Sequence, residues 1–172
     1  PCCGLVMLSS AALARMEGTQ STSFACDLAK WLQIMQAYEN GGHAYHATMP
    51  TDALTRFRDT LLETEAYGFA EVAADQVELG GKVRDLLARK DIQSVAADGF
   101  GAPGVVVAYT DDADIQTGKK FAAVGLQIAA GVPLMCDEPE GFRTFRLGLF
   151  GLDKLQNIDR TVATLEKAMG RL

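Results

Sequence analysis

Phe142-Arg143-Thr144-Phe145-Arg146-Leu147-Gly148-Leu149-Phe150 alternates in places between apolar and polar side chains and reads as a β-strand. Arg146 sits inside its apolar part. Working back from it, residues 117–128 read as a helix, and residues 105–109 and 92–97 as strands. The turn-rich Asp98-Gly99-Phe100-Gly101-Ala102-Pro103-Gly104 lies between those strands. Earlier still, residues 69–89 read as a helix carrying Val72, Val77, Val83, Leu86 and Leu87, with a kink expected at Gly80-Gly81. Forward of the strand, Asp153 opens a final helix with Ile158, Val162, Leu165 and Met169 on one face and Gln156 at capping-box spacing. Helix, strands, helix, strand, helix is an α+β layer with helices packed on a small sheet.

The first 68 residues read differently. Gly4-Leu5-Val6-Met7-Leu8-Ser9 is a continuous apolar run, the pattern of a buried strand that needs neighbours on both sides. No neighbours are visible. A short helix is expected at residues 11–17, a polar loop at 18–23, and a helix at 27–39 that Asn40-Gly41-Gly42 ends. Thr51 is placed to cap a further helix ending near Tyr67-Gly68. Residues 1–68 therefore read as the end of a larger α/β domain whose beginning is missing, and residues 69–172 as a small α+β domain.

Composition narrows the function. With 16 basic and 22 acidic residues the net charge is −6, which argues against a nucleic-acid binder. No apolar run is long enough to span a membrane, and no leader pattern is visible. Cys2, Cys3, Cys26 and Cys136 form no C-x-x-C pair, and only His43 and His46 could join them on a metal. No metal is expected; the cysteines read as four buried, reduced thiols of a cytoplasmic protein. Gly99-x-Gly101-x-x-Gly104 leads into a strand rather than a helix, so it is not a dinucleotide fingerprint. Asp111-Asp112-Ala113-Asp114 fits a helix start better than a calcium loop.

Two stretches could carry chemistry. In Gly41-Gly42-His43-Ala44-Tyr45-His46-Ala47-Thr48-Met49-Pro50, the hydroxyls of Tyr45 and Thr48 stand just ahead of a helix and suit an anion such as phosphate. An ordinary capping loop would carry the same residues. In the strand, an unpaired Arg146 guanidinium would be costly to bury, so it faces solvent, pairs with a carboxylate of the chain, or meets an external anion. Its planar fork suits a substrate carboxylate.

Tyr45-His46-Ala47-Thr48-Met49-Pro50 and Phe145-Arg146-Leu147-Gly148-Leu149-Phe150-Gly151, at this separation, resemble the class V aminotransferases. These are fold-type-I pyridoxal-phosphate enzymes, and the similar branch is that of alanine–glyoxylate and serine–glyoxylate aminotransferases. Pro1-Cys2-Cys3-Gly4-Leu5-Val6-Met7-Leu8-Ser9-Ser10 is similar to the segment just after that family's cofactor lysine, and Lys30-Trp31-Leu32 resembles a patch between the motifs. The resemblance implies that Arg146 holds the substrate carboxylate. It implies that Tyr45 and Thr48 reach the cofactor phosphate of the neighbouring subunit in a homodimer, and more loosely that Gly131 lines the site. His46 receives no chemical role.

The cofactor lysine would lie upstream of Pro1, and none of Lys30, Lys82, Lys90, Lys119, Lys120, Lys154 and Lys167 has the matching context. No catalytic residue is therefore assigned. The expectation is the C-terminal part of a pyridoxal-phosphate aminotransferase, inactive alone, that completes its site with the missing N-terminal portion. The parent would move an amino group between alanine or serine and glyoxylate or pyruvate. Two alternatives stay open. One is a lyase or desulfurase of the same superfamily, with Cys136 as its mobile-loop thiol; the other is a cofactor-free α+β binding domain.

Overall fold

A computed structural model describes residues 4–172. Cys2 and Cys3, and the start of the segment resembling the post-lysine turn, lie outside the described residues. The chain divides into two compact units, one ending at Leu62 and the other running Glu63–Leu172.

In the first unit, helix α1 spans Ser10–Met16, and the Ser9 hydroxyl caps it by accepting from the Ala12 N–H at 3.2 Å. Helix α2 spans Leu28–Glu39; Asp27 caps it through the Lys30 N–H at 3.0 Å. It ends as expected. The Gly41 N–H donates to the Tyr38 carbonyl and the Gly42 N–H to the Ala37 carbonyl, the paired bonds of a Schellman close. Helix α3 spans Thr51–Tyr67 and runs through the division between the units. Thr51 is its first helical residue rather than its cap, because the Pro50 carbonyl already accepts from the Leu54 N–H.

The strand expected at residues 4–9 is not formed. The segment forms no ladder, and Met7 is 93% exposed. A strand exists only by exchanging hydrogen bonds with a neighbour, and no strand occurs among the described residues of this unit.

In the second unit, helix α4 spans Phe69–Ala88. Strands β1 (Val105–Tyr109), β2 (Ala129–Ala130) and β3 (Thr144–Gly148) form an antiparallel sheet in the order β1-β3-β2. Leu79, Val83 and Leu86 of α4 pack with Val106 of β1 and Phe145 and Leu147 of β3. Each such fully buried side chain contributes about 1.5–3 kcal/mol. Helices α5 (Ala113–Gln116) and α6 (Lys119–Ala123) lie between β1 and β2, and α7 (Leu152–Leu155) and α8 (Ile158–Met169) follow β3. Helices on a small three-stranded sheet are the α+β layer read from the sequence.

Several element boundaries differ, each for a local reason. Residues 92–97 make one isolated bridge, Ser94 with Ala108, and no strand. The Ser94 hydroxyl accepts from the Ala96 N–H at 3.2 Å and turns the backbone away from the ladder. Of the helix expected at residues 117–128 only α6 forms: Gly118 at φ 81° stands just before it and Gly125 at φ 87° just after it, while α5 lies ahead of the expected range. The final helix is two: Asn157 caps α8 by accepting from the Arg160 N–H at 3.0 Å, so the helix restarts there. Gly80-Gly81 causes no break in α4. Instead, a Cβ at Gly80 would stand 2.7 Å from the Pro103 carbonyl, so this glycine lets a loop approach the helix.

The cysteine expectation is corrected where it can be seen: Cys26 and Cys136 are free thiols, but both are exposed. Among the described residues no helix is long and apolar enough to cross a membrane. Asp112 starts α5 as expected, accepting from the Asp114 and Ile115 N–H groups at 2.8 and 3.1 Å.

Candidate functional site

The loop at residues 41–50 is held by His46. Its Nε2 donates to the Phe24 carbonyl at 3.1 Å, and since a carbonyl only accepts, Nε2 carries the proton. The imidazole also lies against two aromatic rings, Phe24 with centroids 4.2 Å apart and Trp31 edge-on at 5.1 Å. The Trp31 indole N–H in turn donates to the Ala25 carbonyl at 2.8 Å. His46 is thus committed to packing. Phe24 and Ala25 went unnoticed in the sequence, where a polar tract gives no sign that its backbone will anchor a histidine 22 residues on.

That pinning leaves the neighbouring hydroxyls outward. Tyr45 is 81% exposed, and its phenol oxygen lies 3.4 Å from Thr48 Oγ1. Two hydroxyls this close, both open to solvent, can donate to one anion. This is the chemistry a phosphate group needs.

In the second unit, Arg146 occupies the middle of β3 and pairs with Val107 of β1 and Ala129 of β2. Phe145 and Leu147 point to the core, so alternation turns Arg146 to the opposite face. It is half-buried there. Its Nε donates to the Ala130 carbonyl at 2.9 Å. Among the described residues the guanidinium makes no ion pair, and neither Nη nitrogen has a hydrogen-bond partner. Pairing with a carboxylate of the chain, one of the three possibilities for this arginine, is therefore not realised here. Arg143 is exposed and donates to the Asp111 carbonyl at 3.3 Å.

Residues 131–143 join β2 to β3. Within them the Glu138 carboxylate accepts the N–H groups of Leu134, Met135 (2.7 Å) and Cys136 (3.2 Å). Backbone N–H groups, its own foremost and then those of Leu134, Cys136 and Met135, hold this carboxyl below its ordinary range against the opposing effect of burial.

Four of the lysines are engaged as cations. Lys82 meets Asp159 and Glu78, Lys119 meets Asp114, Lys120 meets Asp112, and Lys154 meets Asp153. The hydrogen bond to Asp159, then that to Glu78, pushes the Lys82 amine upward, and the bond to Asp112 does the same for Lys120. An amine that attacks a carbonyl must be neutral, so these environments oppose that role.

No family model and no curated protein sequence matches this chain. Among solved structures it is similar to the alanine–glyoxylate aminotransferase of Nostoc sp., with a TM-score of 0.67 and 14% identity over 94% of this chain and 42% of that one. It is also similar to an aspartate aminotransferase of subgroup IV from Thermus thermophilus, with a TM-score of 0.58 and 17% identity over 96% of this chain and 44% of that one.

The chain has the fold of the C-terminal portion of an aminotransferase.

The likeness is one of fold, and the chain spans less than half the length of either aminotransferase. Within this aminotransferase fold, the sheet that carries Arg146 is the small one on which the C-terminal helices pack.

Proposed function

We propose that this chain is the C-terminal part of a pyridoxal-phosphate-dependent aminotransferase of the class V type. It would act on a small amino acid, alanine or serine, and a 2-oxo acid, glyoxylate or pyruvate. Residues 1–68 would belong to the cofactor-binding domain and residues 69–172 to the small domain. The observation that carries the reading is Arg146: a half-buried arginine between the buried Phe145 and Leu147, with both Nη nitrogens unengaged among the described residues. Amino acid and oxo acid share one feature, the carboxylate, and a guanidinium fork binds it in two parallel hydrogen bonds.

Tyr45 and Thr48 are assigned to the cofactor phosphate of a neighbouring subunit, which makes the functional form a homodimer. Their side-by-side hydroxyls supply neutral donors, while His46 keeps the loop in place. Pyridoxal phosphate, when bound, supplies the electron sink for exchange of the amino group. The residues of this chain orient the two ends, phosphate and carboxylate. No lysine of the chain has the family's context, so the chain by itself would be inactive. Its partner would be the N-terminal portion of the same enzyme. A cytoplasmic location is proposed with it.

Arg146→Lys in the full-length enzyme is the test. Lysine keeps the charge but presents one donor centre in place of a fork. The KM for the amino acid should rise by about tenfold or more, with the cofactor's absorbance unchanged. An unchanged KM would remove Arg146 from carboxylate binding.

A further inference from the structure

Arg146 could meet a carboxylate in two ways. Side-on, the carboxylate takes Nε and one Nη; end-on, it takes both Nη nitrogens. The structure has already used Nε, which donates to the Ala130 carbonyl at 2.9 Å. That carbonyl is the last of strand β2, whose two residues pair with Arg146 and Phe145 of β3. Directly after it comes Gly131, whose N–H donates to the Gln116 carbonyl at 3.0 Å. A Cβ built on Gly131 would collide with the Thr144 carbonyl oxygen and crowd the Thr144 hydroxyl. Thr144 is 1% exposed and its backbone belongs to β3, so it has nowhere to go. Any side chain at residue 131 would therefore lift the end of β2 off β3 and carry the Ala130 carbonyl with it.

We propose that the Ala130 carbonyl and Gly131 are positioning groups that confine Arg146 to end-on recognition of a carboxylate. The proposal rests on the reading of Arg146 as the carboxylate holder and adds the direction of approach. A ligand must come along the long axis of the guanidinium, with its two carboxylate oxygens matched to Nη1 and Nη2. Gly131 acts through Arg146 and touches no substrate.

The test is an arginine side-chain nitrogen spectrum of the full chain, with acetate as the probe. The Arg146 Nε–H signal, assigned by its loss in Arg146→Lys, should stand apart from those of exposed arginines and exchange more slowly with water. Added acetate should shift the Arg146 Nη signals and leave Nε–H in place. An Nε–H that exchanges like an exposed arginine overturns the proposal. So does an Nε–H that moves with acetate as far as Nη, although that result keeps Arg146 as the carboxylate holder. If acetate moves no Arg146 signal, the carboxylate reading itself falls and the proposal with it. Gly131→Ala should abolish the slow Nε–H exchange while the β1–β3 amides keep theirs. Retained protection in that variant would overturn the role of Gly131. Should Gly131→Ala fail to fold, the measurement on the unaltered chain still decides.

Discussion

The Glu138 carboxylate sits on the N–H groups of Leu134, Met135 and Cys136, and those bonds are stronger while it is ionised. Its pKa is held below the ordinary 4.5. For a carboxyl lowered by folding, the stabilisation is fully present above the ordinary pKa and is lost as pH falls through the lowered one. Acidification below about 4.5 should therefore open residues 134–138 before the sheet is disturbed. Amide exchange at Leu134, Met135 and Cys136 should quicken there, and Glu138→Gln should show fast exchange already at neutral pH. Unchanged exchange across that range would mean the loop is held by something else. At this scale the sequence was readable where one side chain contradicts its surroundings. Arg146 drew notice because a guanidinium does not belong in an apolar strand. The carbonyl of Ala130 could not, because every residue has one and only the register of β2 on β3 brings this one to Nε.

Helix α4 contains two adjacent glycines with opposite physical circumstances. Gly81 faces open space, with nothing within 4 Å of a Cβ built there. Gly81→Ala should stabilise the chain by about 0.5–1 kcal/mol, because alanine narrows the unfolded ensemble and suits a helix. Gly80→Ala should do the reverse, costing about 1–3 kcal/mol, since its methyl would meet the Pro103 backbone. Thermal melting of the two variants checks the pair; equal shifts would disprove the contrast. Sequence pattern located α2, α3, α4, β1 and β3 because each is long or carries a clear period. It failed where a single side chain or one left-handed residue decides. Ser94 turned a strand into a bridge, Gly118 and Gly125 shortened one helix at its two ends, and Asn157 restarted another. Strand β2 has two residues, too few for any period to show.

At the scale of the molecule, burial is uneven. The buried hydrophobic core runs from Leu79 to Met169, entirely within Glu63–Leu172, and no helix wholly within the first unit has a fully buried residue. A polypeptide of residues 63–172 should therefore fold by itself and melt in one cooperative transition, whereas residues 4–62 alone should show no such transition. A non-cooperative melt of the longer piece would show that its core needs the rest of the chain. The fold class was readable from the order of helices and strands after residue 69. The exposure of Leu5, Val6 and Met7 was not, because a hydrophobic run states what it prefers to bury against and says nothing of whether that surface is supplied.

The exposed thiols fall one to each unit, Cys26 in the first and Cys136 in the second. With Cys2 and Cys3 replaced by serine, a donor dye on one and an acceptor dye on the other would report the spacing of the two units as a colour ratio. Glyoxylate, pyridoxal phosphate and the N-terminal portion could each be added in turn, and any rearrangement read in real time from a single labelled sample.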